Sequence, residues 1–413
     1  MIERAEEDSD KFVDIDFPAT DASVCAWSFS SGFEWKRPQE IVQQPQLFAS
    51  ADIVSDVRQG QLGNCWFVSA CSALRRRPDL LRRVFPYAAD EEYDPCHPWS
   101  HAGQVHCRVW RFGRWREVVV DDRLPTLHGR LVYCRSKNPR EFWCALLEKS
   151  LAKLAGCYTA LDSGSLKEAF VDLTGGMAEN LTLNPSPPLC VWTRVTQCLQ
   201  YARSGLLVAA IRSCSSSHTY EVNELEFLLS KSKDGEFWIS WSEFCSTFTE
   251  ICICHLATTR RWKSDYKQKL FFGQWEFVQS MKEQRSGGCP NFLTCFLNPQ
   301  FLIEVPFDQE KPLMFDLHQP DNRSVSKLPY LTIGMFVVEL SKSDPGRSWC
   351  KQQMATSDLY ALSEYVNSRS IFLQLGPLPA GWYLLVPTTY WPGQEQQFML
   401  RMISPPCISV RER

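Results

Sequence analysis

Residues 59–74 read QGQLGNCWFVSACSAL, and this stretch limits what the chain can fold into more than any other. Cys65 is followed by Trp66 and an apolar run at helical spacing, which predicts a buried helix that starts at the cysteine and continues through Leu81. Gln59 lies six residues upstream, in a loop that holds Gly60 and Gly63. A thiol in the first turn of a helix faces unpaired N–H groups and the positive end of the helix dipole, and both favour the thiolate. The Gln59 amide and the Cys65 N–H can then donate to an oxyanion developing on an attacked carbonyl. A cysteine at a helix start is, by itself, a core residue, since free cysteine is among the most buried types. The glutamine, the two loop glycines and the Cys-Trp pair together point to a nucleophile.

A chain of 413 residues is long for a single core, so two or three domains are expected. A formal charge of −3 offers no bulk attraction to nucleic acid or to an anionic membrane, and no nucleic-acid partner is expected. Arg75, Arg76, Arg77, Arg82 and Arg83 read as a solvated helix end. The 18 cysteines are irregularly spaced, and the opening MIERAEEDSDKF has no apolar core of a secretory signal. Reduced thiols and a cytoplasmic location are therefore expected, and no apolar stretch is long enough to span a membrane. Cys252 and Cys254 form a C-x-C pair without partners at zinc spacing, so no metal is expected there.

Along the chain, residues 1–30 read as an extended acidic lead-in. His106 to Val120 alternates as a hairpin turning near Gly113. Phe142 to Leu154 carries apolar residues at helical spacing. Leu206 to Ile211 and Glu236 to Ser240 read as strands, and Arg260 to Phe277 as a basic, aromatic connector. Phe301 to Val305, Tyr330 to Leu340, Ser370 to Leu375 and Trp382 to Pro387 suggest an antiparallel sandwich.

The QGQLGNCWFVSACSAL string resembles the active-site segment of calpains, the intracellular calcium-dependent cysteine proteases. FEWKRPQEI (from Phe33), WRFGRWREVVVDDRLPT (from Trp110), EFWCALLEKSLAKLAGCY (from Glu141) and VDLTGG (from Val171) are similar to further parts of the calpain core. GGCPNFLTCFLNPQFLIEV (from Gly287) and GWYLLVPTTYWPGQEQQFMLR (from Gly381) resemble the β-sandwich that follows it. The wording is nearest to the atypical, calpain-5 type. The resemblance implies an α+β fold, a papain-like two-lobed cysteine protease core followed by an antiparallel C2-like β-sandwich, calpain domain III. The implied divisions are the lead-in 1–30, a first lobe 31–165 with the cysteine helix, an internally truncated second lobe 166–258, a connector 259–285 and the sandwich 286–413.

The resemblance also implies roles. Cys65 is the nucleophile, Gln59 the oxyanion donor and His218 the general base. His218 lies in SSHTYEV, which keeps the His-x-Tyr part of the family's Gly-His-Ala-Tyr segment, with Ser217 and Thr219 in place of glycine and alanine. Calpains orient that histidine with an asparagine in an Asn-Pro-Trp-Gly string, and this chain has no such string. After His218 the sequence reaches DGEFW (Asp234 to Trp238) too soon, so the intervening strands are expected to be missing. Calcium is the implied cofactor, with Asp56 and Glu141 aligned to a first core site and Asp234 and Glu236 to part of a second. There is no EF-hand pattern, and the chain stops at Arg413, about where the sandwich is expected to end. The expected function is a calcium-regulated intracellular cysteine endopeptidase of impaired activity. Its partners are protein substrates, with phospholipid or membrane-surface contact through the sandwich. The alternative is a non-catalytic calpain-like interaction or membrane-recruiting protein. Acyl transfer of the transglutaminase kind shares the core but not the local motifs.

Overall fold

The segment WCALLEKSLAKLA forms one helix, Trp143–Ala155, buried on nearly every side. The computed structural model describes residues 11–25, 32–49, 57–183, 193, 206–211, 240–256, 266–280, 283–321, 329–340 and 359–413. Gly156, at φ 99°, ends the central helix with a backbone turn that a side chain would strain. Burial takes Lys149 inside, where its Nζ donates to Asp121 Oδ1 and to the Arg123 carbonyl, both at 2.6 Å. Asp121 closes the strand Arg114–Asp121, which pairs with Gln104–Arg111 as the expected hairpin. Phe112 and Gly113 both turn at positive φ, as a tight hairpin requires. The adjacent Asp122 is held by Arg37, by His101 at 3.5 Å and by the Tyr93 hydroxyl at 3.3 Å. The lead-in is tied down here too: the Asp14 N–H donates to Asp121 Oδ2 at 2.9 Å, and Lys153 Nζ reaches the Asp14 carboxylate at 2.8 Å.

The helix that starts at Cys65 ends at Arg75, and a second helix, Pro78–Val84, follows. The single helix expected through Leu81 is therefore two. Pro78 lacks the N–H that would continue the first helix and fits the first turn of the next. The cysteine helix lies against the helix Leu166–Thr174 and the strand Leu206–Ile211. That strand belongs to a three-stranded antiparallel sheet with Glu250–His255 in the middle and Met177–Thr182 on the other side. Of the expected strand at Glu236 to Ser240, only Ser240 lies within the described residues. It caps the helix Trp241–Thr247, its hydroxyl accepting from the Glu243 N–H at 3.2 Å. Cys252 and Cys254 are buried in the central strand. No cysteine among the described residues forms a disulfide, and no helix there is long and apolar enough to cross a membrane.

A second compact unit begins after Leu256. It is a sandwich of two antiparallel sheets. One has the order Lys267–Trp275, Gln396–Ser404, Leu313–His318, Ser370–Leu375. The other has the order Leu359–Leu362, Thr332–Leu340, Gly381–Thr389, Phe301–Val305, Ser409–Glu412. Phe301, Ile303 and Val305 point into the shared core with Phe315, Leu385 and Leu400. Leu302, Phe336, Val338 and Leu384 fill a second cluster with Cys295. The second sheet is therefore buried on both faces, which is why its strands read as unbroken apolar runs. Lys267–Trp275 pairs along its length with Gln396–Ser404, so the stretch expected as a connector supplies an edge strand of the sandwich.

Asp316 sits opposite Arg401 in the ladder and accepts from Arg401 Nη2 and His318 Nε2, both at 2.6 Å. Burial alone would raise the Asp316 carboxyl, but His318 and Arg401 hold it well below the usual carboxylate range. Removing one partner of a buried ion pair costs about 3 kcal/mol or more, because the other charge is left uncompensated. Arg401→Met in the full chain should lower unfolding stability by about that amount, measured by urea denaturation. A loss below ~1 kcal/mol would show that the triad is not a stabilising centre. Asp316 contributes its stability above the unfolded carboxylate range, and that contribution should fade as the pH falls through and below it.

Candidate active site

Cys65 is the first residue of its helix, half-buried, with Asn64 at the cap position. The Asn64 carbonyl accepts from the Phe67 and Val68 N–H groups at 2.9 and 3.2 Å, while the Cys65 N–H has no partner among the described residues. A donor at the head of a helix is thus left open beside the thiol. The preceding loop is pinned at both glycines. The Gln61 N–H donates to the Val132 carbonyl at 3.1 Å, and a Cβ on Gly60 would lie 2.4 Å from that oxygen. The Gly63 N–H donates to Asp162 Oδ1 at 2.7 Å, and a Cβ there would lie 2.9 Å from the Asp162 carbonyl. Trp66 anchors the other side, its indole N–H donating to the Leu161 carbonyl at 3.2 Å. Gln59 stands at the start of this loop, and its Nε2 donates to the Leu62 carbonyl at 2.5 Å. In this arrangement its amide is tethered within the loop, and an oxyanion would have to compete for it.

Glu148 was not singled out from the sequence, yet it lies directly behind the head of the Cys65 helix. Its Oε1 accepts from Asn64 Nδ2 at 2.6 Å and its Oε2 from the Cys134 N–H at 2.9 Å, with all three residues buried. Burial pushes the Glu148 carboxyl up to about 7, against the lowering effect of those two hydrogen bonds. The thiols of Cys71 and Cys134 nearby are pushed well above their ordinary range by the same burial, so neither competes as a nucleophile. The signal that could have found Glu148 is its place inside an otherwise apolar helix segment, WCALLEKSLAKLA.

Of the other residues expected at the site, His218, Asp56, Asp234 and Glu236 lie outside the described residues. Glu141 is described and buried. Its Oε1 accepts from the Ala49 N–H at 3.0 Å, its Oε2 accepts from Ser136 Oγ at 2.6 Å, and the Arg75 guanidinium stands 3.5 Å away. Arg75 Nη2 also reaches the Ala49 carbonyl at 3.3 Å. Calcium needs several unengaged oxygens, so Glu141 as arranged does not fit a calcium ligand. An internal cation stands beside it. The expectation that Arg75 is part of a solvated helix end is corrected by the same contacts. No group of three or more metal-ligating side chains occurs among the described residues. His255, at the end of the strand Glu250–His255, is engaged by Glu179 Oε1 at 2.7 Å.

A groove of about 810 Å³ opens beside Gln59, lined also by Arg58, Arg130, Arg135 and Lys137. Comparison with known proteins places this geometry. A sequence profile described as "Calpain family cysteine protease" matches residues 12–228, and one described as "Calpain large subunit, domain III" matches residues 271–403. The chain belongs to the calpain family. It is 33% identical to calpain-5 of Mus musculus, an alignment covering 97% of this chain and 74% of the relative. It is 34% identical to calpain-5 of Caenorhabditis elegans, over 95% of this chain and 73% of the relative. Identity to the calpain-2 catalytic subunit of Homo sapiens is 31%, over 91% of this chain and 62% of the relative. The mouse alignment runs over 478 positions although this chain has 413 residues, so at least 65 positions have no counterpart here.

The buried Glu148 gives this calpain a pH signature. A carboxyl raised from 4.5 to about 7 on folding keeps its proton in the native state where the unfolded chain has lost it. Native stability from this group is greatest below pH ~4.5 and declines as the pH rises toward 7, by about 3 kcal/mol in all. Glu148→Gln should flatten that decline between pH 5 and 7, read as melting temperature against pH. A wild-type and a variant that lose stability in parallel over this range would refute the assignment.

Proposed function

We propose that this calpain-family chain is a cysteine-type endopeptidase that cleaves proteins at limited positions in a reducing, cytoplasmic setting, with reduced turnover. The observation that carries the reading is the loop-to-helix junction, where the loop that begins at Gln59 delivers Cys65, with its open N–H, to the head of its helix. Cys65 Sγ would attack the scissile carbonyl carbon after giving its proton to His218. The oxyanion would accept from the Cys65 N–H and, once released from Leu62, from the Gln59 amide. Collapse expels the amine, which takes the proton from His218, and water then hydrolyses the thioester. The absence of an Asn-Pro-Trp-Gly string leaves His218 without its orienting partner, and a comparable change in an analogous triad costs about 10⁴ in rate. The alignment positions without counterpart support a chain shortened relative to the mouse protein. The same absence favours a second reading, a calpain-like protein that works through its sandwich as an interaction or membrane-recruiting module.

Purified Cys65→Ser chain should show no peptidase activity, because a hydroxyl needs a stronger base than His218 supplies. Inserting a family-type Asn-Pro-Trp-Gly segment between Val222 and Glu226 should raise turnover of casein and thermal stability together. Equal turnover with and without the segment would mean that another residue orients His218. Residual cleavage by Cys65→Ser would remove Cys65 from the mechanism.

Calcium regulation belongs to this proposal on altered terms, since Glu141 is already committed to Ser136, Ala49 and Arg75. Calorimetric titration should give weak calcium binding by the wild-type chain. Binding should be several-fold tighter in Arg75→Ala and lost again when Glu141→Gln is added. Equal affinity in wild-type and Arg75→Ala chains would show that Arg75 does not guard this carboxylate.

A further inference from the structure

The groove beside Gln59 carries a charge pattern that peptide-bond cleavage itself does not need. Arg58 lies directly opposite Arg135 in the two-stranded ladder that joins Val57–Arg58 to Arg135–Ser136. Like charges at facing positions of an antiparallel pair are unfavourable, so local stability does not explain this choice. Arg130 and Lys137 line the same groove, and all four side chains are exposed. Among the described residues, Arg58, Arg130 and Arg135 make no ion pair. The one carboxylate among the described lining residues, Glu141, is 1% exposed and spent on its own partners. The described lining of this groove is therefore positive, on a chain whose net charge is −3. Its volume of about 810 Å³ accommodates several residues of extended polypeptide, and Gln59 forms part of its wall.

We propose that this groove is a specificity subsite that selects acidic side chains in the polypeptide substrate next to the scissile bond. The proposal rests on the endopeptidase reading for the identity of the ligand. A substrate whose reacting carbonyl lies at Gln59 continues past Arg58, the adjacent residue. Guanidinium groups on facing strands offer paired N–H donors that match carboxylates in two-pronged contacts. Aspartate and glutamate side chains would relieve the Arg58–Arg135 repulsion that the free chain carries.

The test uses the full-length Cys65→Ser chain, so that binding is read without turnover. Fluorescence anisotropy would compare a labelled peptide of alternating Glu and Ala with the same peptide carrying Gln for Glu. The acidic peptide should bind about tenfold tighter at low salt, with the advantage shrinking as salt is added. Arg58→Gln with Arg135→Gln should abolish the preference while leaving the melting temperature unchanged or raised. Equal affinity for the two peptides would overturn the proposal, as would a preference that survives the double substitution. A single-stranded oligonucleotide binding tighter than the acidic peptide would also overturn it, since the groove would then be a general polyanion surface. Selective binding of the acidic peptide alongside a wild-type chain that cleaves nothing would leave the subsite standing and defeat the endopeptidase reading alone.

Discussion

The position of Cys65 depends on two buried carboxylates from one stretch of chain. Glu148 accepts from Asn64 at the head of the cysteine helix, and Glu141 stands against Arg75 in its last turn. The cysteine helix is thereby held at both ends by a segment running the opposite way past it. At the head, the asparagine side chain turns inward to Glu148 and makes no cap on its own helix. That leaves the Cys65 N–H without a partner among the described residues, which is what a thiolate and an oxyanion need. At the tail, a guanidinium meets a helix end that carries partial negative charge, so the dipole and the ion pair reinforce each other.

Lys149 extends the same arrangement in the other direction. It is the neighbour of Glu148 on the buried helix and points to a different side, where Asp121 and the Arg123 carbonyl receive it. Asp121 also takes the Asp14 N–H, and Asp122 takes Arg37, so the lead-in, the hairpin and the chain before the cysteine loop converge on one helix. Buried charges are costly unless each is paired and hydrogen-bonded. Here the pairing runs through four separate segments, and none can shift without exposing a charge in another. The rigidity that the loop Gly60–Asn64 needs is supplied from behind, by the same helix.

Much of this was legible in the sequence, for identifiable reasons. The helices at Cys65 and Trp143 and the hairpin at Gln104–Asp121 follow from apolar spacing, and the strands at Phe301, Ser370 and Gly381 from apolar runs between turns. The break at Arg76–Arg77 was hidden because Leu80, Leu81 and Val84 continue an apolar pattern, and only Pro78 marks the restart. The strand Lys267–Trp275 read as a connector because it is an edge: most of its residues are exposed or half-buried, and lysines sit among them, as expected where open pairing must be discouraged. Glu141 was legible only through the family resemblance, as a calcium ligand, and not as a buried arginine partner, since Arg75 belongs to a run of arginines that reads as solvent-facing. Binary patterning has no sign for a charge that is inside because another charge is inside with it.

That last point bears on how a protease of this kind is held in shape. A divalent ion and a guanidinium make similar demands on a carboxylate and a carbonyl, but they differ in permanence. A calcium ion leaves when its concentration falls, whereas an arginine at the end of a helix remains within reach of its partners. The Ala49 carbonyl and the Glu141 carboxylate both face Arg75 Nη2, so the loop before the active site is tied to the cysteine helix by the chain itself. An arrangement held in this way needs no ion to draw Glu141 toward the helix, and any ion that does bind there works against a contact already made. The one contact between Arg75 and Glu141 therefore has two consequences: it ties the loop to the cysteine helix, and it sets a competitor in place against any other cation at that carboxylate.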